Sequence, residues 1–414
     1  MNPAPTDQPL RLAVLCPHFA PDTAPTGEVI TRIVHELAAL GHEVHVITAL
    51  PWYREHRLES GWEGKWVRKE RTAWGTITRV NPFPGDDKRN LLRRAAGFAG
   101  FSVLAGLTSL VGGRVDAVIA MSPPLTMGLT GWGTHLVRRG PLVFNIQDVF
   151  PDAAVETGAI TNTKIIAVAR WLERVSYQRS AAVTVLSDDL RDNVAAKVKE
   201  KYRDRVHVIP NFVDTEFIRP ADRMTALRSE LGIGDEPVVL YAGNVGFSQS
   251  LEMVVDAAAE FPHATFLING DGAARSTLEQ RAAHLPNVRF SGYQPKARVP
   301  EVLATGDVHL VPLKRGLGRV SVPSKTYSIL AAGRPVLAAI DPGTEVPRML
   351  AASGGGIAVA PDDPAAFADG LRTLLGDLVT ARAMGAAGRE WVLGAASPQA
   401  VALAYEHLVR SLLS

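Results

Sequence analysis

The chain of 414 residues holds a single cysteine, Cys16. An internal disulfide and a multi-cysteine zinc site are therefore excluded, and a reducing compartment suits the chain. Net charge is nearly absent: 44 Lys+Arg against 42 Asp+Glu leave +2. No global field selects a nucleic acid, so basic character has to act locally. Metal-ligand spacing is missing too. The 11 histidines are scattered and no D-x-D stands at a strand end, which argues against a metal-dependent single-domain transferase. G-x-S-x-G and the P-loop do not occur, which lowers hydrolase and NTPase readings. The polar, proline-bearing opening MNPAPTDQPLR has no signal-peptide pattern, so a cytoplasmic location is expected.

Long apolar runs are scarce. One charge-free stretch, AAGFAGFSVLAGLTSLVGG, lies between Arg94 and Arg114, with Lys88, Arg89, Arg93 and Arg94 before it. It is near the ~20 residues a membrane span needs, but glycines interrupt it and its apolarity is moderate. Three readings stay open: a buried helix, a helix that touches the inner face of a membrane without crossing it, or a membrane span.

What the sequence does contain is alternation. LRLAVLCP reads as a strand buried on both faces; Thr26-Gly27 opens a helix with apolar Ile30, Ile33, Val34, Leu37 and Leu40, and EVHVITA is the next strand. VDAVIAMSPP, LVFNIQDVFP and AAVTVLS extend this series. A second series follows RVHVIPNFVD: PVVLYAGN, ATFLINGDG, NVRFSGYQ, DVHLVPL, RPVLAAI and GGIAVAPDD. Strands alternating with helices, twice over, predict an α/β protein of two doubly wound, Rossmann-like domains facing a cleft. The expected boundaries are 1–205 and 206–396, with the last helix, 397–414, returning to the first domain.

Ligands of such sheets bind beyond the carboxyl ends of the strands, so the loops there carry the candidates. In VPSKTYSILAAGRPVLA, Pro323 and Ser324 are placed to start a helix, with Ser324 capping its free amides and Lys325 adding a cation. KRGLGR upstream supplies Lys314, Arg315 and Arg319 in a loop whose glycines permit close approach. Together they form a candidate diphosphate cradle, with a solvated basic loop as the plain alternative. YAGNVG and INGDG offer Gly243, Asn244, Gly270 and Asp271, but neither has the spacing of a dinucleotide fingerprint, which disfavours NAD. PHFAPDTAPTGE places His18, Asp22, Gly27 and Glu28 after the first strand. Asp148 and Asp152 follow the strand FNIQDVFPD, where a carboxylate can hold a sugar hydroxyl, act as a base or simply cap a turn. Trp52, Tyr53, Trp62 and Trp66, near the basic and apolar stretch 88–111, fit a membrane-surface acceptor or else close the core of the first domain.

These pieces, in this order, resemble a family-4 glycosyltransferase of the GT-B fold, of the bacterial surface-polysaccharide, WbuB-like kind. The resemblance spans essentially the whole chain. It implies a nucleotide-sugar donor on the C-terminal domain, an acceptor on the N-terminal one, and transfer with retention at the anomeric carbon without a metal ion or other cofactor. UDP-sugars are favoured, and the acceptor is expected to be a lipid-linked molecule or a polysaccharide. By position Gly27 matches the donor-phosphate glycine. Ser324 and Lys325 match the helix start that meets the diphosphate, and Tyr293 and Gln294 stand where the base is met. Asp148, His18 and Lys325 are the expected catalytic groups; Asp22, Glu28 and Asp152 the acceptor side. The chain departs from the family where a pair of glutamates falls on Val320 and Ser328, and it lacks the Arg and Lys that often follow the first strand of the second domain. Arg319 and Lys325 are expected to supply the missing positive charge, and Ser328 a weaker hydrogen bond to ribose. A catalytically silent nucleotide-sugar-binding subunit and a sugar-nucleotide epimerase are the alternative functions.

Overall fold

The computed structural model describes residues 8–53, 57–83, 91–152, 162–318 and 323–414, with only the backbone for 91–96. The chain forms two compact units, Met1–Asn211 with Val401–Ser414, and Phe212–Ala400.

The first unit is built on strands β1 (Arg11–Leu15), β2 (Glu43–Ala49), β3 (Val67–Thr72), β4 (Gly75–Val80), β5 (Ala117–Ser122), β6 (Leu142–Ile146), β7 (Ala182–Val185) and β8 (Val206–Val208). They pair in the order β3-β4-β2-β1-β5-β6-β7-β8. β3 runs antiparallel to β4, and the other pairings are parallel. The apolar runs seen in the sequence occupy the middle of this sheet, covered on both faces. The β3–β4 hairpin was not expected. Its strand VRKERT is charged and only half-buried, so it gives no alternation signal, as suits a sheet edge. Helices α1 (Pro25–Ala39), α2 (Leu91–Ser109), α3 (Thr126–Arg138), α4 (Thr163–Arg179) and α5 (Asp188–Lys197) connect the strands. In α1, Ile30, Ile33, Val34 and Leu37 form the buried stripe that the sequence pattern predicts, with Gly27 beside it; Leu40 is exposed instead, because the helix ends at Ala39 and Leu40 is its C-cap.

β8 pairs with β7, so the first unit extends through Asn211, beyond the expected 205. RVHVIP precedes the second series in the sequence, and its short strand closes one edge of the first sheet.

The second unit holds β9 (Val238–Ala242), β10 (Thr265–Asn269), β11 (Val288–Ser291), β12 (Val308–Pro312), β13 (Val336–Ala339) and β14 (Gly356–Val359), in the order β11-β10-β9-β12-β13-β14 and wholly parallel. Its helices among the described residues are α6 (Ala226–Glu230), α7 (Leu251–Ala258), α8 (Arg275–Ala282), α9 (Val299–Thr305), α10 (Lys325–Ala331), α11 (Glu345–Ser353), α12 (Pro364–Gly376) and α13 (Leu378–Ala395). Val239, Tyr241, Phe266, Ile268 and Phe367 pack on one side of the sheet; Ile329, Val336, Ala338 and Met349 pack in a separate cluster. Below the strands, Asp307 accepts hydrogen bonds from Arg223 (2.6 Å), Arg228 (2.7 Å) and the Val238 amide (2.9 Å). This buried network ties the starts of β9 and β12 together.

The last helix, α14 (Pro398–Leu413), lies mostly in the first unit. Its Tyr405 is buried, and the phenol oxygen accepts a hydrogen bond from the Asn145 side-chain amide at 2.6 Å and lies 3.3 Å from the Thr184 hydroxyl. Burial pushes this phenol up to about 12 despite those two partners.

Candidate functional site

In the first unit the chain leaves β1 at Leu15 and turns through His18 to the start of α1. His18 is 7% exposed. Its Nδ1 lies 2.7 Å from Asp22 Oδ2, and Asp22 Oδ1 accepts the Tyr53 amide at 3.1 Å. The imidazole stacks on Trp52 with centroids 5.6 Å apart and meets Tyr53 edge-on at 5.3 Å. Trp52 and Tyr53 therefore wall in the histidine. The loop is anchored from β4, where the Arg79 guanidinium donates to the Ala20 carbonyl at 2.6 Å.

Gly27 explains how α1 comes so close. A β-carbon there would sit 2.8 Å from the His18 Cβ, a distance real side chains do not adopt. Pro25 occupies the first turn and no side chain caps the helix. Glu28 is exposed in that first turn. The sequence thus brings His18, Asp22 and Gly27 into one arrangement. A Gly27→Ala variant is expected to push the imidazole off its carboxylate. Shifted ring resonances of His18 in the NMR spectrum, relative to the unmutated chain, check this displacement. A thermal melt shifted by no more than a few degrees would separate this from loss of fold.

Asp148 follows β6 and is exposed. Its neighbour Gln147 is buried instead: it donates to Asn145 Oδ1 (2.8 Å) and accepts from Asn211 (3.0 Å). Asp152 is held by Lys197 at 2.6 Å and by Asn193 at 3.3 Å. Burial opposes its ionisation, but the Lys197 hydrogen bond and charge outweigh it and leave the carboxyl below its ordinary range. Lys197 also reaches buried Glu173 at 2.8 Å. The structure thus gives Asp152 a tying role that its place in the sequence did not suggest.

The second unit gathers its glycine loops at the carboxyl ends of β9 and β10. Gly243 has φ +144° and Gly270 φ +146°, both strained for any L side chain. A β-carbon on Gly270 would run into the Gly243 carbonyl oxygen, and one on Gly243 would lie 3.0 Å from Lys325 Nζ. The loops are nested, with the start of α10 against them. Lys325 Nζ lies 3.9 Å from the centroid of the Tyr241 ring, whose hydroxyl donates to the Asn244 carbonyl at 2.5 Å. Burial lowers the Lys325 pKa from 10.5 to about 7. Among the described residues no carboxylate pairs with it. A desolvated cation over an aromatic face, between loops with no side chains to block approach, is arranged to receive an anion.

Other expected donor residues fare differently. Ser324 does not cap α10: its side chain makes no capping bond, and the Pro323 carbonyl instead accepts the Thr326 amide (3.1 Å) and hydroxyl (2.9 Å). With Ser324 in a helical conformation, its hydroxyl is not poised over the first turn. The KRGLG loop is also engaged: the Gly316 and Gly318 amides bind Asp341 Oδ2 at 2.8 and 3.0 Å, and the Arg315 guanidinium donates to the Pro361 carbonyl at 2.9 Å. Arg319 and Val320 lie outside the described residues. Ser328 is half-buried on α10. The Asp271 carboxylate accepts the Gly272 amide at 2.7 Å, and exposed Tyr293 reaches the Asp271 carbonyl at 3.3 Å. Gln294 accepts from Arg298 at 3.1 Å and donates to Ser291 Oγ at 3.3 Å. Sequence reasoning missed Tyr241, Asp341 and Arg275. The last donates to the Ser291 carbonyl at 3.1 Å and to the Gly270 carbonyl at 2.5 Å. An apolar strand hides a Tyr as core, and Asp341 gives no signal because its partners are backbone amides.

A family model described as "Glycosyl transferase 4-like domain" matches residues 26–211, and one described as "Glycosyl transferases group 1" matches 236–377. The chain is a family-4 glycosyltransferase of the GT-B fold. This glycosyltransferase is 28% identical over 382 residues to the "Putative colanic acid biosynthesis glycosyl transferase WcaI" of Escherichia coli (strain K12), covering 88% of this chain and 92% of that one. In structure it is similar to sucrose-phosphate synthase from Thermosynechococcus elongatus, with a TM-score of 0.65 at 18% identity over 98% of this chain and 99% of that one. It is likewise similar to HepE of Anabaena solved with UDP, with a TM-score of 0.65 at 13% identity, covering 97% of this chain and 100% of that one. No helix among the described residues is long and apolar enough to cross a membrane.

Proposed function

We propose that this glycosyltransferase moves a hexosyl or N-acetylhexosaminyl group from a nucleoside diphosphate sugar, UDP in preference, to a lipid-linked or polysaccharide acceptor of the cell envelope. The transfer retains the anomeric configuration and needs no metal ion. The observation that carries the donor assignment is Lys325, a desolvated cation with no carboxylate partner among the described residues, facing glycine-lined loops. The UDP in HepE and the name of the colanic acid relative support the nucleotide and the acceptor class.

In the proposed reaction the bond from the anomeric carbon to the diphosphate oxygen breaks, and its electron pair stays on the phosphate. The acceptor oxygen bonds to the same face of that carbon, and its proton passes to the departing phosphate oxygen. Negative charge grows on the diphosphate as the sugar becomes oxocarbenium-like, so a preorganised cation lowers the barrier. Lys325 has this role. His18, oriented by Asp22, and Asp148 are assigned to the acceptor hydroxyl; Gly243, Asn244, Gly270, Asp271, Tyr293 and Gln294 to the nucleotide.

A panel of nucleoside diphosphates and nucleotide sugars tests the reading. UDP or a UDP-sugar is expected to raise the melting temperature without added divalent cation and with EDTA present. Uridine diphosphate should then be released faster when acceptor is supplied. Stabilisation that appears only with a divalent ion would sink the metal-free mechanism, and donor sugar interconverted without acceptor would point to an epimerase.

A further inference from the structure

We propose that α2, α3 and α4 together form a docking surface for an anionic lipid bilayer. The crossovers β4→β5, β5→β6 and β6→β7 all move the same way across the sheet, so right-handed connections lay the three helices on one face. α2 packs on α3 and α3 on α4.

The outer side of this layer is unusually apolar for a surface. On α2 and just after it, Val103, Leu107 and Val111 are 63%, 60% and 68% exposed; α3 adds Leu136 and Val137. On α4, Ile165, Val168 and Trp171 recur at a helical spacing and are also exposed. Between α2 and α3 lies an open groove of about 400 Å³, lined by Val103, Gly106, Leu107, Leu110, Leu129 and Gly133 among others. Contiguous exposure of this kind marks an interaction site.

Charge identifies the partner. The only carboxylate in the sequence of the three helices is Glu173, which is 2% exposed and bound to Lys197 at 2.8 Å and to the Tyr177 hydroxyl at 3.1 Å. The same helices carry Arg93, Arg94, Lys164, Arg170, Arg174 and Arg179 in sequence. Arg170 and Arg174 are exposed beside Trp171. Asp152, which shares a pocket with Arg170 and Arg174, is ion-paired with Lys197 at 2.6 Å. Apolar stripes with an aromatic, flanked by cations, match a headgroup layer of negative charge: side chains enter the acyl boundary while arginines meet phosphates. The mostly apolar lining of the open groove suits an acyl chain. The stretch between Arg94 and Arg114 then supplies one of the three helices of the surface, and α4 is the part that periodicity alone did not reveal.

This deepens the lipid-linked acceptor reading above, and the test needs no acceptor, so either can fail without the other. The full chain is sedimented with vesicles of phosphatidylcholine alone and of phosphatidylcholine with phosphatidylglycerol. Binding is expected only to the second and should weaken with salt. Leu107→Glu with Val168→Glu should lower partitioning about tenfold or more while nucleotide-induced melting shifts stay as in the unmutated chain. If that pair fails to fold, Arg170→Gln with Arg174→Gln should lower binding to anionic vesicles by a similar factor. No binding to anionic vesicles, binding that both variants retain, or a dimer that the first variant dissociates would overturn the proposal. The last outcome would make the face a contact between copies of the chain.

Discussion

Lys325→Met should weaken binding of uridine diphosphate by about 30- to 150-fold, measured by calorimetry near neutral pH. The magnitude follows from losing a charge-assisted contact worth roughly 2–3 kcal/mol. The same variant should stabilise the empty protein. Burial lowers the Lys325 ammonium to about 7 from 10.5. Between those values the unfolded chain holds a proton that the folded chain has released. Stability of the empty protein therefore rises with pH through this window, while below about 7 the fold carries the full cost of a desolvated charge. Methionine removes that cost, on the order of 4 kcal/mol at neutral pH, and with it this part of the pH slope. Bound diphosphate should do the reverse for the unmutated chain: it restores the proton, so binding near pH 8 takes up a proton from buffer. Wild-type-like affinity in the variant together with an unchanged slope would remove Lys325 from the site.

Gly270→Ala is expected to be the most damaging single methyl in the second unit. At φ +146° an L side chain is strained, and its β-carbon would overlap the Gly243 carbonyl oxygen, a backbone atom that cannot rotate away. Strain of this type costs about 1–3 kcal/mol and the overlap adds to it, so a loss of roughly 4 kcal/mol is expected by urea denaturation. Donor binding should vanish even where the variant folds, because the two loops can no longer nest. Gly316→Ala is the control. Its φ of +86° is also left-handed, but nothing lies within 4 Å of the added carbon, so about 1 kcal/mol is expected. Equal losses in the two variants would mean that the nesting of 243 on 270 contributes nothing beyond backbone conformation.

The sequence shows the central strands plainly because parallel strands covered on both faces are continuous apolar runs, and Arg11–Leu15 and Val238–Ala242 need no context to be recognised. Edges are less visible. Val67–Thr72 is charged and pairs only by virtue of Gly75–Val80 beside it, and Val206–Val208 is too short to declare its sheet. At the site, the glycines and Lys325 are legible as types at strand ends. Their partners are not. Tyr241 under the ammonium lies in a strand that reads as core, while Asp341 binds backbone amides that any sequence provides. Ser324 shows the opposite error, since a residue suited to capping stands in the right place and makes no cap. Capping depends on the dihedral angles at that residue, which neighbours in space set.

The polypeptide emerges from the ribosome with Asn145 and Thr184 long before Tyr405, the hydroxyl that both meet in the finished fold. The half synthesised first is thus the half completed last. A nascent chain halted before Val401 would leave that polar pair facing a slot with no tyrosine in it, and premature termination there should yield a product that chaperones retain.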